Sequence, residues 1–345
     1  MKIRFVILIL YILIAGPSYG TDNELYFRHY NNKDGLSHNT VNCSLQDSKG
    51  FMWFGTEDGL NRFDGYTFTI YRHNPEQPNS LPNNRITHLF EDSEGTVWVG
   101  SGGFVCSFKE EDETFHPFRF PTGNGNPERF SDIREDGRKN LWLREGSRIA
   151  KYSLTDKSHR IYPASGYFRA SLMTMTKEGI PLFSDMFNMY IYSPEEDDFL
   201  LIPLLTEKEK EDQIHITALC HAPDLGMLVG TNRDGLKLWI SQERRVVTLI
   251  PDVQVRTITP FNPYTYWIGT ESGVYIHNVL KRTTTQLTKS LTNEYAISDN
   301  AIYSISKDKE GGMWIGTFFG GGLATFRMSM SVSTGISEEK LIRAC

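Results

Sequence analysis

The side chains of this chain that could do chemistry are polar groups and aromatic rings recurring at matched places. Glu57 and Asp58 follow a Gly-Thr pair, Asn232 and Arg233 follow a second, Glu271 a third, and Phe318 and Phe319 a fourth. Arg144 and Glu145 follow Trp142-Leu143 at the corresponding place. Asn39, Asn84, Arg85, Arg129 and Asn300 stand a few residues ahead of similar segments. Carboxylates, amides and guanidinium groups pair with hydroxyls, and an exposed ring suits the apolar face of a sugar. Such a set suits binding of an oligosaccharide better than a reaction. Catalytic signatures are missing: the chain has no HExxH, no GxSxG and no Walker glycine loop. The glycine-rich FGGGLA (Phe319 to Ala324) lacks the Lys-Ser/Thr of a phosphate loop and reads as a turn. Cys43, Cys106, Cys220 and Cys345 form no CxxC and read as small apolar residues, with no disulfide framework or zinc site. No catalytic residue, metal or cofactor is therefore expected. A lyase or hydrolase built from carboxylates on distant loops, and a plain protein-interaction scaffold, stand as rival readings.

The elements that would position these groups are written as a repeat. A tryptophan slot is filled by Trp53, Trp98, Trp142, Trp267 and Trp314. The first three are separated by 45 and 44 residues and the last two by 47. The 125 residues between Trp142 and Trp267 leave room for two more copies, with Leu182 and Leu228 in the slot. That makes seven. Each copy runs through an alternating strand (NTVNCSLQD, NRITHLFED, NAIYSISKD), a polar turn with Gly, the tryptophan strand, a second turn and a third strand. A fourth strand follows in most copies, as in YTFTIYR and ETFHPFRF. Four short antiparallel strands in roughly 40–45 residues is the period of a propeller blade. The expected fold is all-β, a seven-bladed propeller of four-stranded blades. In that fold the loops before the first strand and between the second and third share one face. The tryptophans are then core, wedged between blades, rather than ligand platforms.

An open ring would leave a sheet edge free. The last copy has no fourth strand after GLATFR (Gly322 to Arg327), while YFRHY (Tyr26 to Tyr30) precedes the first copy. The N-terminal strand is expected to complete the last blade. Residues 1–20 carry Lys2 and Arg4, an apolar run from Phe5 to Ala15 and small residues around Gly16 to Gly20, the layout of a secretory signal. Removing them takes away two positive charges and no negative ones, moving the net charge from −6 to −8, which disfavours nucleic acid as a partner. The expected domains are a signal peptide at 1–20, the propeller at 21–327 and a non-propeller tail at 328–345 that is a linker or a truncated end.

The stretch NTVNCSLQDSKGFMWFGTEDGLNRFDGYTFTIYRHNPEQPNSLPNNRITHLFEDSEGTVWVG resembles the two-component regulator propeller repeat, found in the periplasmic sensor half of hybrid histidine kinases. The opening FRHYNNKDGLSHNTV is similar to the start of those sensors. The resemblance implies a periplasmic sensor of polysaccharide breakdown products that controls carbohydrate-utilisation genes. It also implies partner domains in a longer protein: a second propeller, a further β domain, a membrane helix, a kinase core and regulator domains. No phosphoacceptor histidine box or ATP-binding region occurs in this chain, which on this reading is an N-terminal fragment without kinase activity. Pairing of two copies as a homodimer is a further expectation.

Overall fold

The computed structural model describes residues 25–120, 130, 132–145, 148–162 and 172–326. The expected signal segment, the tail and Arg129 lie outside them. The described residues form seven four-stranded antiparallel sheets, with strands in sequential order from the innermost outward save where the first strand of the chain closes the last sheet. Blade 1 comprises β2 (Val41–Gln46), β3 (Met52–Thr56), β4 (Gly59–Phe63) and β5 (Phe68–Tyr71). Blade 2 comprises β6 (Ile86–Glu91) to β9 (Thr114–Pro117), and blade 3 comprises β10 (Asp132–Glu135), β11 (Asn140–Glu145), β12 (Arg148–Ser153) and β13 (His159–Tyr162). Blades 4 and 5 begin at β14 (Leu172–Met175) and β18 (Ile216–Ala222), and blade 6 begins at β22 (Val255–Asn262). Blade 7 takes β26 (Ile302–Lys307), β27 (Met313–Thr317) and β28 (Leu323–Phe326), and its outer strand is β1 (Arg28–Tyr30). The pairing Arg28 to Thr325 and Tyr30 to Leu323 joins the two ends of the chain, as YFRHY led one to expect.

The core is divided among seven apolar clusters, one at each seam between neighbouring blades. Trp53 and Leu60 of blade 1 pack with Ile86, Val99 and Phe115 of blade 2. Trp142 packs with Phe183 and Tyr192 of blade 4, and Tyr30 and Trp314 pack with Val41 and Phe54 of blade 1. All five tryptophans of the slot are buried. Four of them share a device that the spacing alone did not suggest. The indole N–H donates to an aspartate six residues earlier: Trp53 to Asp47 at 2.7 Å, Trp98 to Asp92 at 2.8 Å, Trp142 to Asp136 at 2.8 Å and Trp314 to Asp308 at 2.9 Å. The same carboxylates accept from backbone amides of their own turn, as Asp92 does from Glu94 and Thr96. The turn aspartate thus shapes the hairpin and satisfies the buried indole together. Phe261 holds that position before Trp267. Asp92→Ala is expected to cost about 2 kcal/mol, because the buried indole N–H loses its acceptor along with the turn amides. Urea unfolding measures it, and a loss below about 0.5 kcal/mol would contradict the argument.

The Gly-Thr pair has two separate causes. A Cβ on Gly55 would lie 2.6 Å from Ile86 Cγ2 of blade 2, and one on Gly230 would lie 2.4 Å from Val255 Cγ1 of blade 6. Only a hydrogen fits where the next blade presses in. The threonine hydroxyl donates to the carbonyl of a turn glycine: Thr56 to Gly59 at 2.9 Å, Thr231 to Gly235 at 2.9 Å and Thr270 to Gly273 at 2.8 Å.

Candidate ligand-binding face

The turns between second and third strands and the lead-ins to the inner strands meet on one face. Most of their polar groups are engaged in holding the seams. The backbone N–H of Gly59 donates to Asn84 of the next blade, Gly273 to Asn300, and Gly322 to Asn39 across the closing seam. The Asn84 side-chain amide donates to Asp58 at 3.0 Å, and Arg72 pairs with Asp58 at 3.2 Å. Glu57 accepts from Asn42 at 3.0 Å and from Arg85 at 3.1 Å. Asn232 accepts from the His215 amide at 2.9 Å and donates to Gln213 O at 3.1 Å, while Arg233 beside it is exposed. Glu57, Asp58 and Asn232 therefore already serve the scaffold. Arg144 lies within β11 rather than in the turn after it, at the place where other blades carry the glycine of Gly-Thr.

Glu271, Phe318 and Phe319 are brought together by two residues that the sequence reading passed over. Arg256, on β22, directs Nε and Nη2 to Glu271 Oε1, both at 2.6 Å. Its guanidinium lies 4.9 Å from the centroid of Tyr303, on β26 of the next blade. Tyr303 stacks on Phe318 at 4.4 Å and 15°, and Phe318 meets Phe319 edge-on at 4.9 Å. Phe318 is fixed further because its carbonyl accepts from Thr40 Oγ1 at 2.6 Å. The ladder ends on Phe319, a residue that is 72% exposed. Arg256 and Tyr303 sit where the first strand bulges, between Val255 and Thr257 and between Ile302 and Ser304. A bulge re-aims a side chain out of the alternating pattern. That irregularity is invisible in a count of alternating residues.

Beside Phe319 opens a cleft of about 380 Å3. Its walls are His29 and Asn31 at the end of β1, the connection from Lys289 to Asp299, and the turn Phe319–Gly321. Of the candidate ligand residues, Phe319 alone lines this cleft. Most of the rest, from Lys289 to Asp299, belong to a connecting loop of mainly polar residues, which composition alone does not separate from ordinary surface.

A second polar group lies in the wall between blades 2 and 3. Asp132 Oδ1 is 2.9 Å from His88 Nε2 and 3.5 Å from Arg134 Nη1, and Asp132 Oδ2 is 3.5 Å from Arg144 Nη2. Arg134 also touches His88 Nε2. Burial works to raise the Asp132 carboxyl, but His88, Arg134 and Arg144 outweigh it and hold it well below the usual range. Burial, with Arg134 beside it, lowers His88 against the opposing pull of Asp132. Both shifts have the same sign for stability. Above pH ~6.5 the histidine contribution is complete, and it is lost as the unfolded chain protonates below that value. The aspartate contribution is complete above pH ~4 and is lost as pH falls toward the depressed folded value. The unfolding free energy should therefore fall from pH 7 to pH 3, and Asp132→Asn should flatten the fall below pH ~4 while costing about 2 kcal/mol at pH 7. Urea titrations across that range test it; an acid limb unchanged by Asp132→Asn would refute it. The thiols of Cys43, Cys106 and Cys220 are free and pushed up by burial to about 12, as befits small core residues. Among the described residues no cluster of three or more His, Cys, Asp or Glu could hold a metal ion.

These features define a closed seven-bladed propeller whose blades are stapled at one face, with an aromatic ladder and a cleft at the sixth and seventh. Residues 35–58, 80–103 and 296–319, in the first, second and seventh blades, match the two component regulator propeller model, so the chain carries that repeat. A 73-residue segment is 42% identical to histidine kinase P4 of Formosa agariphila, covering 21% of this chain and 5% of that protein. Among solved structures, the extracellular domain of a hybrid two component system from B. thetaiotaomicron superposes with a TM-score of 0.73 at 20% identity. It covers 88% of this chain, which spans 42% of that one. A second such domain from the same organism gives 0.73 at 17% identity, over 89% of this chain and 40% of that one. A catalytically inactive variant of virginiamycin B lyase from Staphylococcus aureus, solved with quinupristin, gives 0.66 at 13% identity over 88% of this chain and all of that one. At such identities these likenesses are of fold. The chain spans less than half the length of the two extracellular domains. No helix among the described residues is long and apolar enough to cross a membrane.

Proposed function

We propose that this chain is the ligand-sensing propeller of a hybrid two-component sensor, exported to the periplasm, that recognises an oligosaccharide and so controls carbohydrate-utilisation genes. The observation that carries the reading is the two component regulator propeller repeat in three blades of one closed ring. Similarity to a histidine kinase and to extracellular sensor domains supports it, as does an acidic chain with a signal-like opening. Exposed Phe319 beside hydroxyl, amide and carboxylate groups suits a sugar. On this reading Glu271, Phe318, Phe319 and Arg233 lie at or near the ligand. Glu57, Asp58, Arg144 and Asn232 then support the face that carries it. The chain itself is non-catalytic, and its partners are the remaining sensor and kinase domains and a second copy of itself.

The test is a transcriptional reporter driven by the full-length sensor gene in its host, grown on a panel of polysaccharide digests. Induction by one digest that disappears when the propeller is deleted supports the reading. A reporter that no digest induces overturns it, and so does turnover of a polysaccharide by the purified chain, which would make it an enzyme.

A further inference from the structure

We propose that the cleft beside Phe319 is a subsite for one or two rings of a neutral sugar, and that its occupant clamps the seam where the ring closes. The choice of ligand rests on the carbohydrate reading above; the site itself is argued from geometry. Phe319 supplies an apolar plate held edge-on by Phe318, which itself stacks on Tyr303. Ser298 lines the cleft, and its Oγ is buried with no hydrogen-bond partner among the described residues. A buried hydroxyl without a partner is costly, and a small outward shift of the turn over it lets a ligand hydroxyl donate to it or accept from it.

Around that hydroxyl stand polar groups used on one side alone. Asp299 Oδ1 accepts from the amides of Asn300 and Ala301, at 2.7 and 3.4 Å, leaving Oδ2 as an acceptor. Asn293 Oδ1 accepts from Tyr295 N at 2.9 Å and Asn31 Oδ1 from Lys33 N at 2.8 Å, leaving each side-chain NH2 as a donor. Donors and acceptors lining one cleft beside an exposed ring are the recognition chemistry of a polyol. Gly321 lets its turn lie directly against this wall: a Cβ there would lie 2.9 Å from both Ser298 Oγ and Asp299 Cβ and push them out of place. The volume of about 380 Å3 is at the small end for ligand sites, which limits the occupant to a short sugar. Lys289, Glu294 and Asp299 all line the cleft, one lysine against two carboxylates, a balance that does not favour an anionic saccharide.

The three walls belong to three separate segments, one of them the closing strand. β1 pairs over three residues only, so its hold on β28 is a short one. A sugar bridging Asn31, Ser298 and Phe319 would add to that hold by mass action.

The experiment uses the whole chain and four neutral disaccharides: cellobiose, laminaribiose, mannobiose and xylobiose. Saturation-transfer NMR and calorimetry read binding, and hydrogen exchange reads the closing seam. At least one disaccharide should bind, Phe319→Ala should weaken it about tenfold, and Gly321→Val should abolish it. Tyr66→Ala, a substitution of an exposed residue on blade 1, should leave it unchanged. Exchange of the amides in Arg28–Tyr30 and Leu323–Phe326 should slow on binding. Melting curves of each variant show that the fold persists. The proposal is overturned if none of the four binds at about 10 mM, if Phe319→Ala and Gly321→Val both leave binding intact, or if exchange at the seam is unchanged. Binding here with a silent reporter would sink the sensor reading alone, while a responsive reporter with an inert cleft would sink this subsite alone.

Discussion

Replacing Trp142 by alanine lowers the unfolding free energy by about 3–5 kcal/mol, the expected cost of emptying a large aromatic site in a packed core. The side chain is fully buried. It stacks on Tyr162 at 5.6 Å and meets Tyr192 edge-on at 4.6 Å, with Phe183 and Phe199 at 5.9 and 6.2 Å. These rings come from two blades, so little can collapse into the space without moving a whole sheet. The indole N–H also leaves Asp136, although Asn140 Nδ2 still reaches that carboxylate at 2.8 Å. Trp142→Phe should therefore cost only about 1–2 kcal/mol, keeping a ring in the wedge and losing the hydrogen bond. Chemical denaturation of both variants checks the pair. Equal losses would show that the ring does not act as a wedge between blades.

Excising residues 25–30 should have a larger effect and a different character. The excision removes β1 and with it Phe27 and Tyr30, both buried. Tyr30 packs against Phe63 at 5.2 Å, Phe68 at 5.8 Å and Trp314 at 6.1 Å, so it belongs to the seam between blades 7 and 1. Two buried aromatics and a strand pairing amount to a loss of about 5 kcal/mol or more. The edge of β28 is then open along Leu323–Phe326, beside apolar Trp314. An unpaired edge templates association with another chain. Light scattering after size exclusion should show oligomers, and the melting temperature should fall by at least several degrees. A monomer with unchanged melting would mean that the ring does not depend on this strand for closure.

Much of the fold was legible in the residues because its cause is local and repeated. A slot that recurs every 39 to 47 residues and holds tryptophan in five of seven copies, most of these followed by Gly-Thr or a close variant, leaves few architectures open. YFRHY was readable as the missing outer strand because a ring must hide its edges, and β1 on β28 is that strand. Even the aspartate that holds the indole is written six residues before four of the five tryptophans. It became meaningful only when the 2.7 to 2.9 Å contacts were seen.

The candidate site was much less legible. Glu57, Asp58 and Asn232 carry the right groups for a ligand, yet their partners lie in their own scaffold. Arg256 and Tyr303 looked like members of inner strands until bulges turned them toward Glu271 and Phe318. The amino-acid sequence by itself determined the number of blades, the wedge residues and how the ring shuts, since each follows from periodic burial and short-range turn chemistry. The tertiary structure alone decided which polar groups are already consumed and where a cleft is left over. That outcome depends on His29, Ser298 and Phe319, which come from separate segments and meet only because the last blade is completed by the first strand.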